Sequence, residues 1–324
     1  MRGSNWRLLA LAVALVAYGC GGSSSPAAPS APTPPASATP VTASWSVEGV
    51  RMTNTTAGFP NSSLANPSVF RLNNGQFRML VTGGTDPTGI LSATSPDGLS
   101  WTFEPGRRLQ NSGDCGHVRA FRLDDGRVRV YCRNTSGILS YISSDEGLTL
   151  TREGTGLMIT NAQVGAARLS TGGVVRTRDA RWRMYFSDDV APGAAAASVA
   201  MKIYSAVSTD LLNWTVEAGV RLGATVSPSG SGTHPSAITN ADGSVSVAYT
   251  GGTPNFSGAW VATSSDGLAF TKDAFTSLPG FDPDIVSING TTRIYYNIGN
   301  ENSGTVYSGV LTGTLAPLVF GFVR

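Results

Sequence analysis

The sequence predicts an all-β fold, a single five-bladed β-propeller in which five similar sheets form a ring. Three observations predict it. A hairpin pattern occurs five times, a Ser-x-Asp turn with a closing strand follows four of these hairpins, and a matching closing strand lies near the start of the chain. Short alternating apolar runs separated by Gly-, Asn- and Asp-rich turns dominate, whereas helical periodicity is hard to find after residue 20.

Each hairpin consists of an apolar run, a turn rich in Gly, Asn or Asp, and a second run that ends near Tyr or Leu. We name these runs strand A and strand B. Because Asn-Gly and Asp-Gly pairs adopt the tight turns that join antiparallel strands, each copy of the pattern predicts one hairpin. The five hairpins cover residues 67–81, 117–132, 173–186, 235–250 and 283–297.

A third strand, a Ser-x-Asp turn and a closing strand follow each of the first four hairpins. Ser and Asp side chains accept hydrogen bonds from turn amides, so we expect these turns to be structural elements of the outer rim. One of them resembles the Asp-box turn of sialidases, with Leu150 at the usual Trp position. The turns are SPDGLSW (95–101), SSDEGLTL (143–150), STDLLNW (208–214) and SSDGLAF (264–270).

The fifth unit has a third strand at residues 305–311 but neither the turn nor a closing strand after it. The segment WSVE (45–48) matches WTFE (101–104) and WTVE (214–217), which belong to closing strands. We therefore expect the N-terminal strand to pair beside residues 305–311 and to seal the ring, which would otherwise keep an unpaired edge. The predicted propeller covers residues 43–324, with LAPLVFGFVR packed along the last blade.

Residues 1–20 have the features of a bacterial targeting segment, with an apolar stretch at 8–17 that is short for a membrane span. The sequence AYGC (17–20) resembles a lipobox, which makes Cys20 the predicted lipidation site; an ordinary signal peptide is the alternative. Residues 21–42 read as a Pro/Ser/Ala-rich linker. Together these segments predict an exported lipoprotein of the bacterial cell envelope, at the outer membrane or cell surface, that contacts membrane through its lipid anchor only.

Composition narrows the class of protein. The chain of 324 residues is 41% hydrophobic and 14% charged, enough for a sizeable core, and its net charge of +2 argues against nucleic-acid binding. We expect a monomer. Cys115 and Cys132 flank the DDG turn (124–126) at similar distances, so a structural disulfide is expected in an oxidising compartment.

Candidate functional residues occur where A strands begin and in the loops that follow B strands, because both overhang one face of a propeller channel. Both histidines of the chain fall at equivalent A-strand starts. The A-strand candidates are Asn66, Asp114, His117, Ser170, Thr171, His234, Asp282 and Asp284. The loop candidates are Asp86, Arg133, Asp188, Asp189, Asn297 and Glu301.

The five blades, the strand starts NP, HP and DPD, and the S-x-D-G-x-x-W turns resemble the five-bladed glycoside hydrolases of families 43, 32 and 62. The resemblance implies a role in binding or cleaving carbohydrate. In those families an Asp at the start of the first blade acts as base or nucleophile and a Glu from the middle of the chain is the general acid. Here Asn66 takes the first position and the middle blade offers no Glu. The remaining catalytic candidates are Asp282, Asp188 and Asp114, without an acid or a base assigned.

Several alternatives stay open. The channel residues His117, His234, Asp282 and Asp284 could hold a divalent cation such as calcium, or only water. Arg119, Arg133 and Arg176 could bind an anionic sugar, or be solvated or paired between blades. The functional hypotheses are a glycoside hydrolase acting on glycans, a non-catalytic lipoprotein that binds a glycan or a protein, and a scaffold lipoprotein.

Overall fold

The computed structural model of the chain describes residues 44–58, 64–83, 89–110, 115–189, 201–223, 231–251, 258–272, 278–299 and 304–312. These residues form five antiparallel sheets, the five blades of a β-propeller, which confirms the predicted fold class. Within these ranges no helix is long and apolar enough to span a membrane, and one short 3-10 helix, Asn161–Val164, is present. The predicted targeting segment and linker, Cys20, Asp86, Asp114, Glu301 and the segment LAPLVFGFVR lie outside the described residues.

The first described strand, β1 (Ser44–Met52), belongs to the last blade. The next two blades follow the predicted strand order. Blade 1 contains β2 (Leu64–Arg71), β3 (Phe77–Gly83), β4 (Gly89–Ser95) and β5 (Thr102–Gln110). Blade 2 contains β6 (Gly116–Arg122), β7 (Val128–Arg133), β8 (Gly137–Ser143), β9 (Thr151–Arg152) and β10 (Ile159–Thr160).

Blade 3 differs from the others because its A strand is divided into two short pieces that both pair with the B strand. It contains β11 (Arg168–Ser170), β12 (Val174–Arg176), β13 (Trp182–Asp189), β14 (Lys202–Ser208), β15 (Thr215–Val216) and β16 (Leu222–Gly223). Blade 4 contains β17 (Gly232–Thr239), β18 (Val245–Gly251), β19 (Gly258–Ser264) and β20 (Thr271–Lys272).

Blade 5 combines the two ends of the described chain. Its strands are β21 (Phe281–Ile288), β22 (Thr291–Ile298) and β23 (Thr305–Thr312), and β1 is the fourth. Strand β1 pairs antiparallel with β23, and Trp45 lies opposite Leu311. The sheet therefore has the same four-strand order as blade 1, with its outermost strand supplied from the start of the sequence.

Five hydrophobic clusters fill the spaces between neighbouring blades. The cluster between blades 5 and 1 brings Met79 and Leu91 together with Ile288 and Tyr295, all of them almost fully buried. Equivalent clusters join blades 1 and 2, 2 and 3, 3 and 4, and 4 and 5. Each buried large apolar side chain contributes about 1.5–3 kcal/mol, so packing between blades is the main source of the ring's stability.

Among the described residues, a partly buried network of Arg, Glu and Ser recurs in four blades. In blade 1, Arg78 of β3 pairs with Glu104 of β5 at 2.8 Å, and Ser92 of β4 donates a hydrogen bond to the same carboxylate at 2.7 Å. In blade 4, Ser246 takes the register position of the arginine. The other three networks are Arg129–Glu153–Ser140, Arg183–Glu217–Ser205 and Arg293–Glu48–Ser308.

The Ser-x-Asp turns are hydrogen-bonded from within. Asp97 Oδ1 accepts hydrogen bonds from the amides of Leu99 and Ser100, each at 2.8 Å, and Ser95 Oγ accepts one from the amide of Gly98 at 2.8 Å. The backbone donors Ser100 and Leu99 lower the pKa of Asp97 to about 2. The same pattern occurs at Ser208 with Asp210 and at Ser264 with Asp266. These carboxylates stabilise their own turns.

The predicted disulfide is present. Cys115, which directly precedes β6, is bonded to Cys132 of β7, with the two Cα atoms 5.0 Å apart. Both residues are fully buried in the cluster between blades 1 and 2. The bond ties the start of one A strand to the end of its B strand, at the same face of the ring as the candidate site.

Candidate functional site

Four of the five A strands contain a β-bulge where they begin. In each, two residues of the A strand lie opposite a single residue of the B strand, which kinks the strand and redirects a side chain. The bulges follow Ala65, Gly116, Thr233 and Phe281. We call the face where the A strands begin the channel mouth, and it is formed by Asn66, His117, Thr171, His234 and Asp282.

The bulged residues have an unusual backbone conformation. The φ angles of Asn66, His117, His234 and Asp282 are 54°, 50°, 51° and 52°, in the left-handed region. Asn, Asp and His adopt this region more readily than other non-glycine residues, at a cost of about 1–3 kcal/mol each. Four such residues on one face indicate a site that is maintained at the expense of stability.

The two histidines of the chain lie side by side at the channel mouth. Their ring centroids are 4.3 Å apart. His117 Nδ1 shares a hydrogen bond with Ser170 Oγ at 2.8 Å, and the hydroxyl of Thr171 donates to the carbonyl oxygen of His117. Burial, together with the charge of Arg133, holds the pKa of His117 well below its usual value, so its imidazole is neutral at pH 7.

Asp282 holds the second imidazole. His234 Nδ1 is in contact with Asp282 Oδ1. With its amide nitrogen facing this carboxylate, Asn297 donates to Asp282 Oδ2 at 2.8 Å. The amide of Asp282 itself donates to Thr250 Oγ1 at 2.8 Å. Burial alone would raise the pKa of Asp282, but the charge and hydrogen bond of His234, together with the charges of Arg119 and Arg133, outweigh burial and lower the pKa.

Asp189, at the end of β13, is the second carboxylate at the mouth. Its Oδ2 lies 3.0 Å from Arg168 Nη2 and 3.5 Å from Arg133 Nη2. Burial lowers the pKa of Arg133 to about 10. Asp189 also lies close to the histidine pair: among the described residues, His117, Asp189 and His234 are the one group whose potential metal-ligating atoms all lie within 4.8 Å of one another.

A second layer lies beneath the mouth, two residues further along the A strands. The guanidinium of Arg119 donates to the carbonyl oxygens of Pro67 at 3.0 Å, Pro283 at 3.0 Å and Pro235 at 3.4 Å. One buried side chain of blade 2 thus bridges blades 1, 5 and 4 across the axis of the ring. Burial lowers the pKa of Arg119, opposed by the charge of Asp284.

Asp284 belongs to this second layer and links blades. Its Oδ2 accepts a hydrogen bond from the amide of Val69 at 2.7 Å, and its Oδ1 accepts one from Ser236 Oγ at 2.8 Å. Burial raises its pKa against the opposing charge of Arg119. Both oxygens are engaged with neighbouring blades, so the side chain holds the ring together.

The described sequence-based candidates therefore fall into four groups, one of which is the second layer with Arg119 and Asp284. Asn66, His117, Arg133, Asp189, His234, Asp282 and Asn297 come together at the mouth, with Ser170 and Thr171 supporting His117. Asp188 is turned the other way, where its carboxylate accepts from the amide of Lys202 and from Tyr204 Oη. Arg176 lies at the surface, 3.7 Å from Asp124 and stacked over Trp182.

Sequence reasoning missed Arg168, which is the nearer of the two arginines to Asp189. The signal was available, since Arg168 begins the third A strand and lies directly opposite Asp189 in register. The hairpin pattern in the sequence starts only at residue 173 and so covers only the second piece of that A strand, β12. Arg168 lies in the first piece, β11, which the pattern does not include.

Comparisons with known proteins agree on the fold. An endo-1,4-beta-xylanase from Bacteroides thetaiotaomicron superposes with a TM-score of 0.62 at 16% identity, covering 83% of this chain and 97% of that one. A family-117 glycoside hydrolase of the marine bacterium Zobellia galactanivorans gives 0.62 at 12% identity, with coverages of 84% and 91%. A thermostable family-43 glycoside hydrolase gives 0.59 at 11% identity, with coverages of 80% and 95%. No protein-family model and no curated protein sequence matches the chain.

These findings define the class of protein as a five-bladed β-propeller whose structural neighbours include glycoside hydrolases of families 43 and 117. At 11–16% identity the likeness concerns the fold. The particular role of this chain therefore depends on the residues of its own channel mouth.

Proposed function

We propose that this protein binds carbohydrate at the channel mouth without cleaving it, and that it is exported and held at the bacterial cell envelope through a lipid on Cys20. The fold shared with glycoside hydrolases supports a carbohydrate ligand. The mouth supports binding, because His117, His234, Arg133 and Arg168 are partly exposed there and offer polar groups to sugar hydroxyls.

The carboxylates of the site are already engaged by other protein groups, which favours binding without cleavage. Glycoside hydrolysis needs one carboxyl group to protonate the leaving oxygen and another to activate water or attack the sugar. In the described part of the mouth, Asp189 is paired with two arginines, Asp282 is held by His234 and Asn297, and Asp284 is hydrogen-bonded between blades. Asn66, at the start of blade 1, carries no carboxyl group at all.

Binding is tested by titrating a panel of plant and microbial glycans into the purified protein by calorimetry. The informative variant is Arg133→Gln, which removes a partly exposed charge from the mouth, and we expect it to weaken binding at least tenfold. The matched control is Arg127→Gln, the same change at the opposite end of the same hairpin, where Arg127 pairs with the exposed Asp125. Equal affinities for the two variants would place the ligand elsewhere.

A hydrolase is the second candidate, favoured by one observation. An imidazole held by a carboxylate, as His234 is held by Asp282, is an arrangement that can transfer protons. Release of reducing sugar from the same glycan panel distinguishes the two functions. Asp282→Asn is the suitable variant because Asn tolerates the left-handed φ of this position, as Asn66 shows in blade 1. If the wild type releases reducing sugar and this variant does not, the protein is a hydrolase, and the proposal of binding without cleavage is wrong.

The anchor is tested separately. Cells expressing the full chain are labelled with a palmitate analogue and fractionated. We expect label in the membrane-bound protein, and we expect Cys20→Ser to abolish the label and release the exported protein from the membrane. Unlabelled wild-type protein in the soluble fraction would favour an ordinary signal peptide.

A further inference from the structure

We propose that His117, His234 and Asp189 form a binding site for one divalent transition-metal ion such as zinc. These three residues come from blades 2, 4 and 3, and each offers a ligating atom within 4.8 Å of the others. They are separated by at least 45 residues in the sequence (189 to 234), so the fold alone brings them together. The chain contains two histidines in total, and both belong to this group.

The partners of the imidazoles orient them as ligands. A metal-bound histidine usually engages its other ring nitrogen with a carboxylate or another hydrogen-bonding group, which fixes the ring and its tautomer. His234 Nδ1 meets Asp282 Oδ1, and His117 Nδ1 shares a hydrogen bond with Ser170 Oγ. In both rings Nε2 is therefore the nitrogen left for a metal ion.

An unused buried nitrogen supports this assignment. His234 Nε2 is shielded from solvent and makes no hydrogen bond within the described residues. A buried polar atom without a partner is destabilising, and a ligand at this position would compensate it. A metal ion between the rings would engage it.

The donor set selects the kind of metal. Two imidazoles and one carboxylate suit zinc and related transition metals, whereas calcium takes mainly oxygen ligands. The sequence left open a divalent cation held by His117, His234, Asp282 and Asp284, and the ligand set proposed here differs from that one. Asp282 supports His234 from behind, Asp284 is engaged in the layer below, and Asp189 supplies the carboxylate.

Arg133 and Arg168 set a limit on the affinity. Both contact Asp189 Oδ2, so they fix this carboxylate but also offset its negative charge. The metal ion consequently depends mainly on the two imidazoles. We expect binding that a chelator reverses readily, and protein that remains folded without metal, because the apolar clusters between the blades include none of the three proposed ligands.

The test is a calorimetric titration of zinc, and separately of calcium, into the full chain without a polyhistidine tag and without carbohydrate. We expect one zinc ion per chain, at least tenfold weaker calcium binding, and a zinc-dependent rise in Tm. His117→Asn and His234→Asn keep a residue that tolerates left-handed φ, and each should weaken zinc binding at least tenfold. Circular dichroism establishes that each variant is folded.

The matched control compares the same substitution at two neighbouring carboxylates of β13, Asp189 and Asp188. Asp189→Asn should weaken zinc binding, and Asp188→Asn should leave it unchanged because that side chain faces Lys202 and Tyr204. Absence of saturable zinc binding, or binding that persists in both histidine variants, would overturn the proposal. Neither result would affect the proposed carbohydrate function, which is measured with a different ligand and a different variant.

Discussion

Glu48 and Arg293, which lie 245 residues apart in the sequence, form an ion pair at 3.1 Å between the first strand and the last blade. Ser308 donates a hydrogen bond to the same carboxylate at 2.7 Å. The arrangement repeats the Arg78–Glu104–Ser92 network of blade 1. The N-terminal strand therefore reproduces both the position and the chemistry of a closing strand.

This relationship gives a first prediction. Glu48→Ala should lower the free energy of unfolding by about 2 kcal/mol, because Arg293 and Ser308 lose a partly buried charged acceptor. Urea unfolding of Glu48→Ala, Arg293→Ala and the double variant measures the coupling, which we expect to exceed about 1 kcal/mol. Additive effects of the two substitutions would show that the pair contributes nothing beyond its separate residues.

The disulfide gives a second prediction. Replacing Cys115 and Cys132 together by Ala should destabilise the protein by about 3 kcal/mol, because a bond spanning 17 residues restricts the unfolded chain. Thermal and urea unfolding measure the loss. Dithiothreitol should destabilise the wild type but leave the double variant unaffected; equal sensitivity of both would contradict a stabilising role for this bond.

A third prediction concerns the close approach of blades 3 and 4. A Cβ atom added at Gly173 would lie 2.2 Å from the amide nitrogen of Ala237. Because that neighbour is backbone in an adjoining A strand, Gly173→Ala should cost more than about 2 kcal/mol. The control is Gly156→Ala, where nothing lies within 4 Å of the added atom. Urea unfolding should separate the two variants clearly, and similar midpoints would mean that the blades can move apart at little cost.

A fourth prediction concerns acid. Burial would raise the pKa of Glu104 and Glu217, but hydrogen bonds from an arginine and a serine, together with the charges of nearby arginines, outweigh burial, so both pKa values lie below the usual 4.5. The unfolded chain then binds more protons than the folded one, and stability falls as pH decreases from the ordinary glutamate range through the lowered values. Urea unfolding between pH 7 and pH 3 tests this. Glu104→Gln should be less stable at pH 7 and should lose less stability on acidification; a slope as steep as that of the wild type would contradict the assignment.

Much of the fold could be predicted because the repeat is defined by short stretches of sequence that determine local structure. Turn dipeptides and alternating apolar runs locate the five hairpins, and the segment beginning at Trp45 carries the residues of a closing strand. Its pairing opposite Leu311 follows from the same pattern. The division of the third A strand was not predicted, because β11 is three residues long and its pairing depends on β13.

The candidate site was predictable only in outline. Sequence position placed His117 and His234 at equivalent strand starts, and the structure brings their rings together. The extra residue of each bulge could not be identified, because it is defined by the partner strand. The role of Arg119 was equally hidden: an arginine on an alternating strand reads as solvated, whereas its hydrogen bonds to three other blades arise only once the ring is assembled.

Arg119 also decides how a ligand can reach this protein. Its guanidinium spans the axis of the ring beneath the histidines, where it is hydrogen-bonded to three other blades. The channel therefore ends as a cavity below the mouth and does not continue through the ring at this point. A long polymer cannot pass through the ring at this point, and a ligand enters and leaves through the channel mouth. Selectivity is thereby set at a single rim, the channel mouth.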